Sequence, residues 1–173
     1  GLAGSEAAYQ LAKRGIKVHL YEMRPIKMTP AHQTGGFAEL ICSNSLRAAG
    51  IENAVGLLKE EMKKFNSIVM ESALVNQVEG GSSLVADREN FSKFITDKIK
   101  NHPNIEIIYG EVDKIDLTKN VLVCTGPLTS DKLSKEIQNT FAKKAEEANI
   151  PQSEIQQALV TINRRFLTWK SHS

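Results

Sequence analysis

The chain opens with Gly1-Leu2-Ala3-Gly4-Ser5-Glu6, and an acidic residue, Glu22, follows 21 positions after Gly1. The opening matches the last four positions of the pattern G-x-G-x-x-G, whose glycines let the backbone touch a pyrophosphate and let the helix pack closely on its strand. The helix that follows directs free amides and its positive dipole end at the phosphates. The acidic residue binds a ribose hydroxyl. This spacing predicts a dinucleotide site, and the alternative is a flexible start ahead of a helix of small residues.

Hydrophobic periodicity around this motif predicts a mixture of helices and strands. The predicted helices are 5–14 (ended by Gly15), 54–65, one that begins at the N-cap Asp87, 130–148, and an amphipathic helix from 153 with a capping box of Ser153 and Gln156. The predicted strands are 17–22, 105–109, 112–117 and 121–124, with an ambiguous, strand-rich region at 68–86 and a long irregular stretch from 23 to about 53.

This order of elements predicts an α/β fold with a parallel sheet. We expect an incomplete Rossmann-like dinucleotide-binding domain that lacks its first strand, because no strand precedes the glycine turn. A helical C-terminal tail should follow it. The predicted division is a partial domain at 1–138 and a tail of unknown role at 139–173.

Composition bounds the class of protein. The 173 residues are 41% hydrophobic and 24% charged, which is typical of a soluble globular domain, and no apolar run approaches a membrane span. No signal peptide is recognisable, so we expect a cytoplasmic protein in which Cys42 and Cys124 are free thiols. No metal-site pattern is present. The net charge of +2 predicts no global field for nucleic acid, so an RNA partner would need a local patch or a further domain.

Several longer motifs are specific enough to indicate a family. The chain resembles the folate- and FAD-dependent tRNA (uracil-5-)-methyltransferases over roughly residues 1–138, and Cys-Ser-Asn-Ser-Leu is the most specific of the matching runs. In chain order these runs are Gly1 to Ala8, Tyr21-Glu22-Met23-Arg24-Pro25, Thr29-Pro30-Ala31-His32, Phe37 to Arg47, Asn53 to Met62, Val85-Ala86-Asp87-Arg88 and Thr125 to Ser130. The resemblance has no counterpart for residues 139–173.

The resemblance implies an enzyme that methylates carbon 5 of a uridine in the tRNA T-loop. Methylenetetrahydrofolate supplies the carbon, FAD takes part in its transfer, and NAD(P)H reduces the flavin. The resemblance also implies FAD contacts. The pyrophosphate turn is Gly1, Leu2, Ala3 and Gly4, and the ribose acid is Glu22, with Arg24 beside it. The adenine position is Val112, and the second nucleotide-contacting turn is Thr125 and Gly126.

Cys42 matches the family's active-site cysteine. The chemistry needs a thiol near the uracil ring, for proton transfer at carbon 5 or for covalent capture, and a reactive thiolate should be partly exposed near positive charge. Arg24, His32 and Arg47 are near in sequence and could provide that charge. The alternative is that Cys42 is a small buried core residue, which is our interpretation of Cys124. His32 could equally be a hydrogen-bonding residue or merely exposed.

Other interpretations stay open. The charges from Lys59 to Lys64 favour a solvated helix face over an RNA patch, and Arg164-Arg165 near Trp169 favour packing over RNA contact. The family's first strand, inserted domain and C-terminal flavin-contacting segment are not recognisable, so we expect no activity from this chain alone. We expect weak or no FAD binding, because without the first strand the amides of the phosphate loop are not preorganised. A related flavoprotein of tRNA wobble-uridine modification is one alternative. A non-enzymatic, degenerate nucleotide-binding or partner-binding remnant is another.

Overall fold

The structure is a computed structural model that describes residues 1–151, 153 and 154. Two compact units divide the chain, Gly1–Gly110 and a second that begins at Glu111. The helices are α1 (Leu2–Lys13), α2 (Ala54–Lys64), α3 (Ile68–Val75), α4 (Arg88–Lys100) and α5 (Asp131–Glu147), with a short 3-10 helix at Gly126–Leu128. The strands are β1 (Val18–Glu22), β2 (Ser45–Ala48), β3 (Gln77–Val78), β4 (Ser83–Ala86) and β5 (Ile105–Tyr109).

Helix α1 confirms the predicted helix but begins earlier than expected. Gly1 is its N-cap, so Leu2, Ala3 and Gly4 form the first helical turn instead of a loop before it. Gly15 follows the helix with a φ of +83°, a left-handed conformation that glycine adopts without strain. The small side chains of Ser5, Ala8 and Ala12 are buried, which lets the helix backbone lie close to the core.

The parallel sheet is built from β1 and β5, as predicted. Their register runs from Val18 opposite Ile105 to Glu22 opposite Tyr109. Both strands therefore end at the same edge, which is the edge where ligands bind in open α/β sheets. Glu22 is the last residue of β1 and lies at that edge.

A second, antiparallel sheet corrects two sequence predictions. Its order is β2-β4-β3, and β2 lies inside the stretch that was predicted to be irregular from 23 to 53. The region 68–86, predicted to be strand-rich, begins with α3. Helix α3 is mostly apolar, and its residues Ile68, Val69, Met70 and Ala73 are buried. Its sequence has no amphipathic periodicity from which a helix could be predicted.

The core of the first unit is centred on α3 and α4. Asp87 caps α4 as predicted, because its side chain accepts a hydrogen bond from Asn90 N. The predicted apolar stripe is buried at Phe91, Ile95 and Ile99, and Phe94 packs against the same core.

The second unit contradicts two predicted strands. Neither 112–117 nor 121–124 forms a strand, and Val121, Leu122 and Val123 are exposed. Helix α5 confirms the prediction at 130–148, with Ser130 as its N-cap, and the predicted boundary at residue 138 falls inside it. The predicted helix from 153, with Arg164, Arg165 and Trp169, lies outside the described residues except at Ser153 and Glu154. No described helix is long and apolar enough to cross a membrane.

Candidate functional site

The amino end of α1 presents backbone amides. The first-turn amides of any α-helix have no acceptor within the helix, and here Leu2 and Ala3 are exposed and Gly4 is half-buried. The Gly1 carbonyl accepts hydrogen bonds from Ser5 N at 3.1 Å and Ser5 Oγ at 2.9 Å, which fixes the start of the helix. This end of α1 can therefore receive an anionic group such as a phosphate.

Glu22 and Arg24 form a two-point ion pair at the end of β1. Arg24 Nε donates to Glu22 Oε1 and Arg24 Nη2 donates to Glu22 Oε2, each at 3.0 Å. The Arg24 backbone N–H also donates to Glu22 Oε1 at 3.0 Å. The Arg24 side chain is 2% exposed and that of Glu22 13%. Arg24, predicted as a cofactor-binding residue, donates to protein acceptors in this network.

A second carboxylate, Glu39, holds the other side of Arg24. Arg24 Nη1 donates to Glu39 Oε2 at 3.3 Å and to the Thr34 carbonyl at 3.2 Å. Glu39 was not predicted as a functional residue. The sequence pattern that could have indicated it is an acidic residue inside the apolar run Phe37 to Leu40, because a carboxylate in such surroundings requires a partner.

Both carboxylates are held in the ionised form. Burial works to raise the pKa of Glu22, but the hydrogen bonds and charge of Arg24 outweigh it and lower that pKa below its ordinary value. Burial likewise opposes ionisation of Glu39, and the donors of Gln33 and Thr34 still bring its pKa down.

His32 lies beside this network and is held in the neutral form. Its Nδ1 lies 2.6 Å from Thr29 Oγ1, and its backbone N–H donates to the same oxygen at 3.2 Å. Burial and then the positive charge of Arg24 lower the pKa of His32, against a smaller opposing effect of Glu39. His32 is therefore a hydrogen-bonding residue in its loop.

Cys42 is a free, exposed cysteine, so the alternative of a buried core residue is wrong. The nearest positive charge that the structure connects to it is that of Arg88, which the sequence analysis did not consider. Arg88 donates to the Leu40 carbonyl at 2.9 Å and to the Cys42 carbonyl at 3.5 Å. Cys124 is free and half-buried.

Lys59 is buried, which corrects the predicted solvated face at that position. Its side chain is 7% exposed and donates to the Ala48 carbonyl at 2.9 Å and the Val55 carbonyl at 3.2 Å. Burial, and next the charge of Arg47, lower the pKa of Lys59. Lys59 thus joins α2 to the end of β2, the strand that follows Cys42.

The remaining predicted contacts lie in the second unit. Val112 is half-buried in irregular backbone. Thr125 precedes the 3-10 helix, and Gly126 has a φ of +62° that favours glycine. Thr129 Oγ1 donates to the Gly126 carbonyl at 2.6 Å, so this turn is well ordered by local bonds. Within the described part of the chain, no group of three potential metal ligands comes together.

The first unit combines a parallel strand pair, an exposed helix amino end and an ionised acid at the end of β1. These features define an α/β dinucleotide-binding domain of the Rossmann-like type. The family model described as glucose inhibited division protein A matches residues 1–168. The chain belongs to the glucose inhibited division protein A family, and the predicted fold class is confirmed.

Curated relatives refine this similarity. A protein of Ligilactobacillus salivarius (strain UCC118) is 61% identical over 137 residues, which are 79% of this chain and 31% of the relative. A protein of Acholeplasma laidlawii (strain PG-8A) is 58% identical over 139 residues, 80% of this chain and 33% of the relative. Both are named methylenetetrahydrofolate--tRNA-(uracil-5-)-methyltransferase TrmFO. The family resemblance read from the motifs is confirmed, and the chain spans about a third of the length of these relatives.

Proposed function

We propose that this chain provides the nucleotide-binding part of a folate- and FAD-dependent tRNA (uracil-5-)-methyltransferase. The observation that carries the proposal is the ionised Glu22 carboxylate at the carboxyl end of β1, a parallel strand that packs against α1. The names of the relatives support the reaction class, since they specify methylenetetrahydrofolate, tRNA and carbon 5 of uracil. Those names favour this reaction over wobble-uridine modification.

The residues of the site fit an FAD molecule. The amides of Leu2, Ala3 and Gly4 would hold its pyrophosphate, and Glu22 would accept a hydrogen bond from its ribose. Val112 and the turn at Thr125-Gly126 belong to the second unit, and their proposed roles at the adenine and at a second nucleotide contact rest on the family resemblance alone. When bound, the flavin supplies reducing equivalents, for which we propose NAD(P)H as the source. Arg24 keeps Glu22 ionised and oriented.

Cys42 is proposed as the residue that acts on the uracil base. An exposed thiol can approach carbon 5 of a uridine in the tRNA T-loop, either to move a proton there or to attack the ring. Arg88 holds the backbone carbonyls on both sides of Ile41, which restricts the direction in which Cys42 points. Methylenetetrahydrofolate is the proposed donor of the transferred carbon.

ADP tests the nucleotide site, because it carries the pyrophosphate and the ribose and needs no flavin contacts. Titration of the full chain with ADP should shift the amide NMR signals of Leu2, Ala3, Gly4 and Glu22. Glu22→Gln should weaken ADP binding about tenfold, the effect of one hydrogen bond to a charged group. Glu106→Gln is the matched control, since Glu106 lies exposed on β5 and pairs only with His19 among the described contacts.

Two results would contradict the proposed site. One is a titration in which ADP leaves the amides of Leu2 to Gly4 unchanged. The other is an equal loss of ADP binding in Glu22→Gln and Glu106→Gln, because that would reflect net charge and not a ribose contact. A chain that binds neither ADP nor FAD would favour the degenerate, non-enzymatic interpretation.

Thiol labelling tests the assignment of Cys42. Ellman's reagent should react faster with Cys42 than with the half-buried Cys124. Cys42→Ser and Cys124→Ser identify the two phases. A tRNA transcript with an intact T-loop should slow the Cys42 phase, whereas a transcript without the T-loop should not. The reverse labelling order would count against Cys42.

A further inference from the structure

Glu39 accepts hydrogen bonds from its own loop and also from Arg24, which lies outside that loop. Gln33 N donates to Glu39 Oε1 at 2.9 Å, and Thr34 donates to Glu39 Oε2 through its N–H at 3.2 Å and its hydroxyl at 3.1 Å. These three donors come from the adjacent turn of the chain. The fourth, Arg24 Nη1, comes from the residue that holds Glu22.

The backbone on both sides of Glu39 is fixed to α4. Phe37 N donates to Thr96 Oγ1 at 2.8 Å, and the Phe37 carbonyl accepts from Ser92 Oγ at 2.8 Å. On the other side, the Leu40 carbonyl accepts from Arg88 at 2.9 Å. Glu39 therefore approaches Arg24 from a segment that the core holds in place.

Arg24 has no solvent to replace a lost partner, because its side chain is 2% exposed. Its Nε and Nη2 donate to Glu22, while its Nη1 donates to Glu39 and to the Thr34 carbonyl. A guanidinium is planar, so holding one edge of the fork sets the direction of the other. Without Glu39, the Nη1 side would keep only the neutral Thr34 carbonyl.

We propose that Glu39 is a positioning residue, which holds Arg24 from the side opposite Glu22 so that the Glu22 carboxylate keeps one orientation toward a bound ribose. The proposal rests on the proposed nucleotide site for its consequence at the ribose. The contact network itself does not depend on any ligand. Glu39 thereby connects the nucleotide site to the segment that leads to Cys42.

The rival explanation is that Glu39 only fastens the turn at Gln33 and Thr34. Glu39→Gln separates the two. The variant keeps one acceptor oxygen, which serves either Gln33 N or the Thr34 donors, and it loses the charge that attracts Arg24. If Glu39 only fastens its turn, the bonds between Arg24 and Glu22 stay as they are.

The first measurement needs no ligand. Hydrogen exchange of the Arg24 Nε–H, followed by NMR in the full chain, reports how firmly Arg24 is held against Glu22 Oε1. Glu39→Gln should speed this exchange about tenfold, the factor for one charge-assisted hydrogen bond. The control is Glu71→Gln, which removes an exposed carboxylate paired with Lys98. Unchanged Arg24 exchange in Glu39→Gln would overturn the proposal, and amide spectra confirm that both variants fold.

The second measurement uses ADP and 2′-deoxy-ADP as probes. If Glu39 orients Glu22 toward the ribose, Glu39→Gln should lose most of the preference for ADP over 2′-deoxy-ADP. General damage to the fold would weaken both probes equally and keep the preference, which would overturn the positioning role at the ribose. A wild-type chain with no preference between the probes, together with fast Arg24 exchange in Glu39→Gln, would refute the ribose role of Glu22 and leave the contact between Glu39 and Arg24 established.

Discussion

Gly56→Ala tests the closest approach of backbone in the first unit. Gly56 is the third residue of α2, and replacing a helical glycine by alanine ordinarily stabilises the helix by up to about 1 kcal/mol. Here a methyl group at Gly56 would lie 1.8 Å from the Gly50 carbonyl oxygen and 2.5 Å from its carbon. We therefore expect the opposite sign, with the variant less stable than the wild type.

The expected size follows from the contacts around this point. A Cβ atom and a carbonyl oxygen stay at least 3.0 Å apart, which is 1.2 Å more than the 1.8 Å found here, and overpacking of this kind costs about 1–3 kcal/mol. Moving α2 away from the Gly50 segment also stretches the bond of 2.9 Å between Lys59 Nζ and the Ala48 carbonyl, worth about 1.5–3 kcal/mol for a charged donor. After the gain in helix propensity, the net loss should be about 2–4 kcal/mol.

Urea unfolding followed by circular dichroism measures this loss. For a chain of 173 residues, this loss of unfolding free energy corresponds to a fall in Tm of roughly 5–15 °C. Leu57→Ala is the matched control, because Leu57 is the next residue of the helix, is 51% exposed and should change the free energy of unfolding by less than about 0.5 kcal/mol. If Gly56→Ala were as stable as the wild type, the close approach of α2 to Gly50 would be refuted.

Three further predictions concern single residues and pH. Asn66, just after α2, has a φ of +53°, a left-handed conformation that glycine adopts easily and alanine does not. Asn66→Ala should therefore lower the free energy of unfolding by about 1–2 kcal/mol, whereas Asn66→Gly should not. Urea unfolding of the two variants measures the difference. Arg24→Met should cost about 3–5 kcal/mol, since it leaves the largely buried Glu22 carboxylate without its charged partner and removes one of the four donors of Glu39. An effect within about 1 kcal/mol in urea unfolding would contradict the network. The free energy of unfolding measured against pH should fall in acid. Glu22 and Glu39 have pKa values below the ordinary 4.5, so their contribution is complete above that pH and is lost as pH falls through their folded pKa values, while His32, lowered from 6.5, begins to subtract stability below pH 6.5.

Local patterns predicted the parts of the fold that local forces determine. The helix that ends before Gly15, the strand up to Glu22 and the cap at Asp87 all depend on residues a few positions apart. Helix α3 was not predicted, because the periodicity of a short, mostly apolar segment does not distinguish a helix from a buried strand. The apolar run Val121 to Val123 was predicted to be a strand, but it is exposed and forms none. A strand needs a neighbouring strand to pair with, and a local sequence pattern does not show whether one is present.

The candidate site divides in the same way. Glu22 was predicted from its spacing to Gly1, a distance along the chain that the βαβ geometry fixes. The roles of Glu39, Arg88 and Lys59 depend on hydrogen-bond partners 15, 48 and 11 residues away in sequence, and the type of residue alone does not reveal them. Glu39 is the exception, because it lies in the apolar run Phe37 to Leu40, where an ionised group is stable only with partners. Arg88 and Lys59 have charged neighbours in sequence, which give no such signal. A charge in an apolar segment therefore predicts that a partner exists, while the fold decides which residue it is, and for Arg24 that partner turned out to be the predicted ribose acid itself.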